Sequence, residues 1–557
     1  MDKKGIIAIV LCVVFLLFWG KISEYLGLVK PAPPKPTPTQ PVVVDTIPAP
    51  SKDSLPIAQP IIDTTQAKLD SLIPVDTLAP EKLTRVSTPL YDLTFSTHGG
   101  GIKDIILKKY NYQGNGNAKL ADNSDKIIPD IESMGGVFQG NRLSFECDAS
   151  DFQLNEGDQP KKLTFTYNNP RGGRIVKSYT ITPDRYDFQF DLTIEGIESF
   201  GFERDYHLVW GATPPPTEKD IKDDYGYFKV VAMMDKQIEL DDFNDGRMSE
   251  DIPGRTTWAG LRTKYFTAVM IPQTREGVGA TAKGTQERQV IDGKNIQARK
   301  LTAAITMEIP SSGNVTDAYL IYVGPIDYKT LKSYNVGLQE LTSLGWVIIK
   351  PFSIAILWLL PKIYSVIPNY GMVVLIFALL IKIIIYPLTR KQTVAMTKLK
   401  DLQPRMKKLQ ERYKSDPAQL NKEMMKLYKE AGANPLSGCL PLLPQMPLFF
   451  ALFTIFKTTI EFRGASFMFW ITDLSVRDPY FILPIIMVVT MFIQQKMTMT
   501  DPKNKMLVYL MPLFFGWLFM NFPAGLVLYW TGFNILSLLE TMYIRRNKEA
   551  VAVVEGP

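Results

Sequence analysis

The sequence predicts a multidomain membrane protein with an N-terminal anchor helix, an extramembrane antiparallel β-sandwich and a C-terminal five-helix transmembrane core carrying a cytoplasmic helical hairpin. Three observations predict it. A short apolar run sits behind two lysines at the start, alternating strand-like runs fill the middle, and long apolar segments separated by basic connections fill the last third.

In order along the chain, Ile6 to Trp19 is apolar and follows Lys3 and Lys4, which reads as a signal anchor over residues 1–30 entering with its N-terminus in the cytoplasm. No small-x-small site follows Trp19 and Gly20, so the anchor is expected to stay uncleaved. Residues 31–84 form a linker, since twelve prolines between 31 and 80 cannot bury a core and favour extended chain. From 85 to 330 the pattern becomes short alternating runs, such as Leu163-Thr164-Phe165-Thr166-Tyr167 and Tyr186-Asp187-Phe188-Gln189-Phe190, which predict antiparallel strands packed as a sandwich. Residues 331–368 are read as an interfacial amphipathic region, because Lys350, Pro351, Pro361 and Lys362 interrupt Trp346 to Leu360.

The core occupies 369–548, with candidate spans Tyr370 to Thr389, Cys439 to Phe456, Tyr480 to Ile493, Met506 to Asn521 and Ala524 to Ile544. A tail follows at 549–557. The flanks fix the topology. Arg390 to Glu430 holds twelve Lys or Arg against five acids, and the Lys496 to Lys505 turn and the Arg545, Arg546, Lys548 end are also basic, so these connections face the cytoplasm. With the anchor, six spans place both termini inside and the β domain outside. Several spans are shorter than the roughly 20 apolar residues of a full crossing, which a thinned bilayer would accommodate.

Composition excludes several chemistries. The net charge of +6 is concentrated in the 390–430 block, and its place beside apolar spans accounts for it without a specific nucleic-acid sequence. The three cysteines, Cys12, Cys147 and Cys439, are not positioned to form a structural disulfide. There is no Cys-x-x-Cys, His-Glu-x-x-His or phosphate-cradling Gly-x-x-x-x-Gly-Lys motif, so no metal, cofactor or nucleotide-driven motor is expected.

Lys382 is the residue most in need of explanation. It interrupts the apolar run Val373 to Ile385 about eight residues, or about 12 Å, from the cytoplasmic boundary, where a lysine costs on the order of 3 kcal/mol. Its stem can snorkel to the headgroups. Alternatively, with no acid in its own span, it faces a hydrated cleft open to the cytoplasm. Gln445, Gln494, Thr531 and Asn534 could line such a cleft, although such groups also hydrogen-bond neighbouring helices. Fourteen of the 22 methionines lie beyond residue 390. Met446, Phe449, Phe450, Met487, Met491, Phe515 and Phe519 form either a pliable apolar surface for varied clients or ordinary core. Pro441, Pro444 and Pro447 should kink their span. Apolar residues from Met396 to Tyr413 and from Leu420 to Ala431 recur at helical spacing on either side of Ser415-Asp416-Pro417, predicting a hairpin within 390–432. Its Arg405, Lys407, Lys408 and Arg412 are either simply solvated or meet anionic lipid, a ribosome or a targeting factor.

Tyr386-Pro387-Leu388-Thr389, Leu402-Gln403-Pro404, Asn434-Pro435-Leu436-Ser437-Gly438-Cys439, Asp478-Pro479-Tyr480 and Phe522-Pro523-Ala524-Gly525-Leu526-Val527-Leu528-Tyr529 occur in an order that closely resembles the YidC insertase family over about 340–545. The resemblance implies a non-enzymatic insertase and folding chaperone in the bacterial inner membrane with a periplasmic β domain. It would act on nascent membrane proteins in the lipid bilayer, with the Sec translocon and the ribosome as partners. It also implies a hydrophilic groove, closed outside and open to cytoplasm and lipid, whose positive charge attracts the client. Family members usually carry Arg there, where this chain has Lys382 and so lacks a bidentate fork. A last-span aromatic, often Tyr in the family, is Trp530 here and is placed in the groove. The family's exported domain resembles sugar-binding sandwiches related to aldose epimerases, which supports the sandwich but no activity for His98 and His207. A transporter or a purely structural assembly factor are the rival readings of the intramembrane charge.

Overall fold

A computed structural model describes residues 79–554 apart from 113–115, 122–126, 134–137, 292, 415, 431–441 and 499–504. The expected anchor, the Pro-rich linker before residue 79, Cys12, Cys439 and Pro441 lie outside the described residues. Two compact units divide between Thr342 and Ser343.

The first unit is β-rich. A nine-stranded sheet runs in the order Gln237–Leu240, Lys229–Met233, Trp258–Arg262, Phe266–Pro272, Val315–Pro325, Asp187–Glu195, Arg174–Ile181, Lys161–Asn168 and Glu146–Cys147. Alternation set its strands. Leu163, Phe165, Phe188, Phe190 and Leu192 are buried, whereas Thr164, Gln189 and Asp191 are only partly so, and each such buried side chain stabilises by about 1.5–3 kcal/mol. Phe266 to Ile271 is buried on both faces. One face there packs on the helix Tyr328–Ser333, labelled α1 below, and on Leu338 and Leu341, through Trp258, Val269, Ile271 and Tyr322.

Two five-stranded sheets cover the other face. Phe95, from the sheet containing Tyr91–Ser96, packs on Tyr179 of the large sheet with ring centroids 4.9 Å apart. Tyr206, from the sheet containing Asp205–Trp210, donates to Asp317 and lies 2.6 Å from the Tyr319 hydroxyl of the large sheet. The expected sandwich thus has a divided second layer. One strand pair, Leu83–Ser87 with Phe152–Gln153, is parallel, where only antiparallel pairs were expected.

The second unit is helical. Its helices are α2 (Lys350–Tyr364), α3 (Tyr370–Asp401), α4 (Gln403–Arg412), α5 (Pro417–Glu430), α6 (Leu442–Thr458), α7 (Ile482–Thr498), α8 (Lys505–Phe519) and α9 (Ala524–Val554). Each of the five spans predicted after residue 369 falls largely on a helix. By length and composition, Tyr370–Pro387 is the one stretch among the described residues apolar and long enough to cross a membrane. Ile482–Met497 and Tyr509–Phe519 are apolar but shorter. Helix α3 runs past the expected end of its span through Arg390 to Asp401, and the break comes at Leu402, two residues before Pro404. The missing N–H of Pro404 and the bulk of its ring disfavour a continuous helix there. Asp416 caps α5, its Oδ1 accepting from the amides of Ala418 and Gln419. Pro447 lies inside α6, whereas Pro444 falls in the first turn, where a missing donor costs nothing.

The core of this unit joins Val373, Val374, Phe377 and Ala378 of α3 to Ala451, Leu452 and Ile455 of α6, Met487 of α7 and Val527, Tyr529 and Phe533 of α9. A Cβ on Gly532 would lie 2.9 Å from Leu375 Cδ2, so the absence of a side chain lets α9 approach α3 closely.

Candidate functional site

Within their apolar stretches, α3 and α9 each carry one charged residue, Lys382 and Glu540. The fold brings them together. Lys382 Nζ is 2.6 Å from Glu540 Oε2, and the two side chains are 9% and 10% exposed. The same ammonium donates to Ser537 Oγ at 2.7 Å and lies 4.9 Å from the centroid of the Phe533 ring. Phe533, Ser537 and Glu540 are spaced by four and three residues, so one face of α9 presents all three to Lys382. The Ser537 hydroxyl also donates to the Phe533 carbonyl at 2.8 Å, which fixes its lone pairs toward the lysine.

This arrangement corrects the expectation of an ammonium without an acid, wetted from the cytoplasm. The carboxylate comes from the last helix, and in this structure the ammonium is nearly enclosed. Sequence reading missed Glu540 and Ser537, although Glu540 is the only acid between Ala524 and Ile544 and a buried charge demands a partner.

The other expected groove residues lie on the same helices in different surroundings. Asn534 is buried and its Nδ2 has no hydrogen-bond partner, whereas the Gln445 side chain and the Tyr529 hydroxyl lie within reach of each other. Thr531 is buried, and its hydroxyl is spent on the Val527 carbonyl at 2.7 Å. Gln494 is half-buried near the end of α7. Trp530 sits among aromatic rings, with centroids 5.4 Å from Phe449 and 5.7 Å from Phe519.

The proposed client-facing surface needs a correction. Met446, Phe449, Phe450, Met491 and Phe515 are half-buried, but Met487 and Phe519 are 0% and 1% exposed and belong to the core. Apolar exposure lies elsewhere, at Ile383 and Ile384 on α3, Ile485 and Val489 on α7, Leu513 and Trp517 on α8, and Leu539 and Tyr543 on α9. Arg405, Lys407, Lys408 and Arg412 are exposed on α4, while Met406 and Leu427 of the hairpin are buried.

The opposite end of the unit is held by bonds to backbone groups. Ala524 and Gly525 amides donate to the Val476 and Leu474 carbonyls at 2.7 and 2.9 Å, and Asn369 Nδ2 donates to the Phe467 carbonyl at 3.2 Å. Asp478, 1% exposed, accepts from the Trp470 indole and from the amides of Tyr480 and Leu483, capping the start of α7.

In the β unit, His98 Nε2 lies 2.8 Å from the Ala79 carbonyl oxygen. His207 lines a cavity of about 440 Å³ with Glu132, Asp205, Asp251 and Lys283. Burial pushes the pKa of His207 down, against the pull of Asp205 3.8 Å away.

Residues 362–551 match the family described as 60Kd inner membrane protein, and residues 83–355 match the YidC periplasmic domain. Among curated proteins, the chain is 33% identical over 566 residues to the membrane protein insertase YidC of Syntrophus aciditrophicus, covering 99% of this chain and 100% of that one. It is also 33% identical over 578 residues to the same-named protein of Chlorobaculum tepidum, covering 98% and 94%. A crystal structure of an active YidC insertase with its first transmembrane domain resolved matches with a TM-score of 0.38 and 18% identity, over 86% of this chain and 99% of that chain.

Proposed function

Because the chain belongs to the YidC family of membrane protein insertases, with a periplasmic β domain and a place in the bacterial inner membrane, we propose that it inserts nascent membrane proteins by way of a groove between α3 and α9, in which Lys382 meets the client's polar segment. The observation that carries this reading is the Lys382–Glu540 pair, because an ion pair inside apolar helices marks a place where polar chemistry is retained against its cost. The exposed apolar faces of α3, α7, α8 and α9 support several membrane-embedded helices, since such surfaces would be unfavourable in water and suit acyl chains.

In this mechanism a client's polar outer segment enters from the cytoplasm toward Lys382 while its apolar segment slides between the helices into lipid. The energy comes from partitioning. Each well-placed Leu or Ile contributes about −0.5 kcal/mol, so a client helix gains several kcal/mol without nucleotide hydrolysis. Asn534, with its unpaired amide nitrogen, and the Gln445–Tyr529 pair would hydrogen-bond the passing backbone. The exposed Arg405, Lys407, Lys408 and Arg412 suit anionic headgroups or a ribosome at the cytoplasmic surface.

The test uses the full chain in proteoliposomes and single-span clients differing only in the charge of the outer segment. Lys382→Glu should impair clients with acidic outer segments most. Equal insertion of acidic and neutral clients by that variant overturns the charge-attraction mechanism.

A further inference from the structure

Lys382 and Glu540 stand at different depths on their helices. Counted from the outer ends of the two helices, Lys382 lies twelve residues into α3, about 18 Å, and Glu540 sixteen residues into α9, about 24 Å. The lysine stem therefore reaches along the helices to meet a carboxylate farther from their starts. Ser537 sits beside both and holds the ammonium through a second, independent hydrogen bond.

A cation within this apolar setting is costly without an anion. An acid on the client, which the charge-attraction reading needs, must therefore take over a position that Glu540 occupies. We propose that Glu540 is the resident competitor for the client site, a specificity residue that neutralises Lys382 at rest and is exchanged for a carboxylate of the entering segment. This inference rests on the insertase reading given above and adds a residue to it.

Three features make the exchange physically feasible. Glu540 lies only five residues, about 7.5 Å along the helix, before the sequence turns basic at Arg545, so a released carboxylate has a short way to the headgroup boundary. Ser537 keeps one partner on the ammonium while the carboxylates change places. The contact with Phe533, 4.9 Å from the ammonium, is indifferent to which carboxylate is present. Charge is conserved throughout, because one anion leaves as another arrives. A client without an acid offers no replacement and leaves the resting pair intact, so the exchange selects for acidic outer segments rather than merely attracting them.

The experiment compares wild type, Glu540→Gln and Lys382→Gln, each as full-length protein in proteoliposomes. Photocrosslinking measures the apparent affinity for a client whose outer segment carries one aspartate and for its asparagine counterpart. Glu540→Gln keeps the side-chain shape and removes the competing charge. It should bind the acidic client more tightly by about tenfold, equivalent to about 1.4 kcal/mol of lost competition, and leave the asparagine client little changed. An unchanged acidic-to-neutral ratio in Glu540→Gln overturns the proposal. The reversed pair, Lys382→Glu with Glu540→Lys, retains an ion pair and so guards against a folding defect. It should favour clients with a basic outer segment, and a retained preference for acidic ones overturns the exchange. The two readings fail differently. If Lys382→Gln discriminates acidic from neutral clients as well as wild type does, the groove charge itself plays no part. If Lys382→Gln loses discrimination while Glu540→Gln matches wild type, the groove charge stands and only the competition by Glu540 falls.

Discussion

Replacing Lys382 by Met and Glu540 by Leu, singly and together, separates what the pair does for stability from what it does for clients. At 2.6 Å and an effective dielectric of about 20, the Coulomb attraction is about 6 kcal/mol. Desolvation of two ions consumes several kcal/mol each, so the pair taken whole is close to neutral relative to apolar side chains of similar volume. Each single substitution strands one buried charge in an apolar environment and should destabilise the helical unit by about 3–5 kcal/mol. The double substitution removes both charges and should lie within about 1–2 kcal/mol of wild type, giving a coupling energy of at least about 3 kcal/mol. Unfolding equilibria in bicelles, followed by tryptophan fluorescence, supply the cycle. The same double variant should lose its preference for acidic clients. A coupling below about 0.5 kcal/mol, with single effects that simply add, would refute the claim that these two groups form one buried unit.

Two predictions concern the β unit. Asp317, 4% exposed, receives hydrogen bonds from Tyr206 and from Arg275 at 2.9 and 2.7 Å, so Asp317→Ala strips the guanidinium of its carboxylate and leaves Tyr206 only the Tyr319 hydroxyl. It should cost about 3–5 kcal/mol, seen as a lower thermal midpoint in near-UV circular dichroism. Burial pushes Asp130 up to about 6 and Lys177 down to about 8. Stability from the raised Asp130 is full below its ordinary value of 3.8 and is lost as pH rises through about 6, and stability from the depressed Lys177 is full above 10.5 and is lost as pH falls through about 8. Both penalties therefore coincide between about 6 and 8, where this pair makes the unit least stable. Lys177→Met should raise the thermal midpoint relative to wild type at pH 5, where Asp130 is protonated and the lysine penalty is gone. That gain should shrink as pH rises above about 8, where wild-type Lys177 sheds its proton and its penalty with it.

Strand alternation made much of the β unit legible. The inward Leu163, Phe165, Phe188 and Phe190 are the residues that period-two patterning selects. The division of the covering layer was not legible, because it depends on pairings such as Val86 with Phe152 that no local pattern encodes. In the helical unit, the Asp416 cap could be read directly from Ser415-Asp416-Pro417. The end of α3 could not, because basic residues mark the headgroup boundary and not a helix stop, and Pro404 was the actual punctuation. Whether Met487 and Phe519 belong to a client surface or to the core was not legible, because hydrophobicity favours core and lipid equally and leaves the choice to packing. Ser537 and Glu540 were missed because the reading sought an acid within the same span, while Ser537 meets Lys382 from 155 residues away.

The two ends of the helical unit are closed by different kinds of bond, and the difference bears on direction. At one end, Leu474, Val476 and Asp478 hold the starts of α9 and α7 through backbone amides. The donor amides lie at the starts of α7 and α9, and an entering segment could take them over only by displacing the loop that carries Leu474, Val476 and Asp478. Toward the other end, α3 and α9 are held by an ammonium, a hydroxyl and a carboxylate on long or rotatable side chains. A client supplying its own carboxylate can substitute for one of these without disturbing any helix. A route built on exchange is therefore easier to open from the side of Lys382 and Glu540, the side on which the basic Arg390 to Glu430 block lies. On this argument, weakening the Asp478 cap should loosen the unit without changing client preference, whereas altering Glu540 should change preference while the opposite end stays closed.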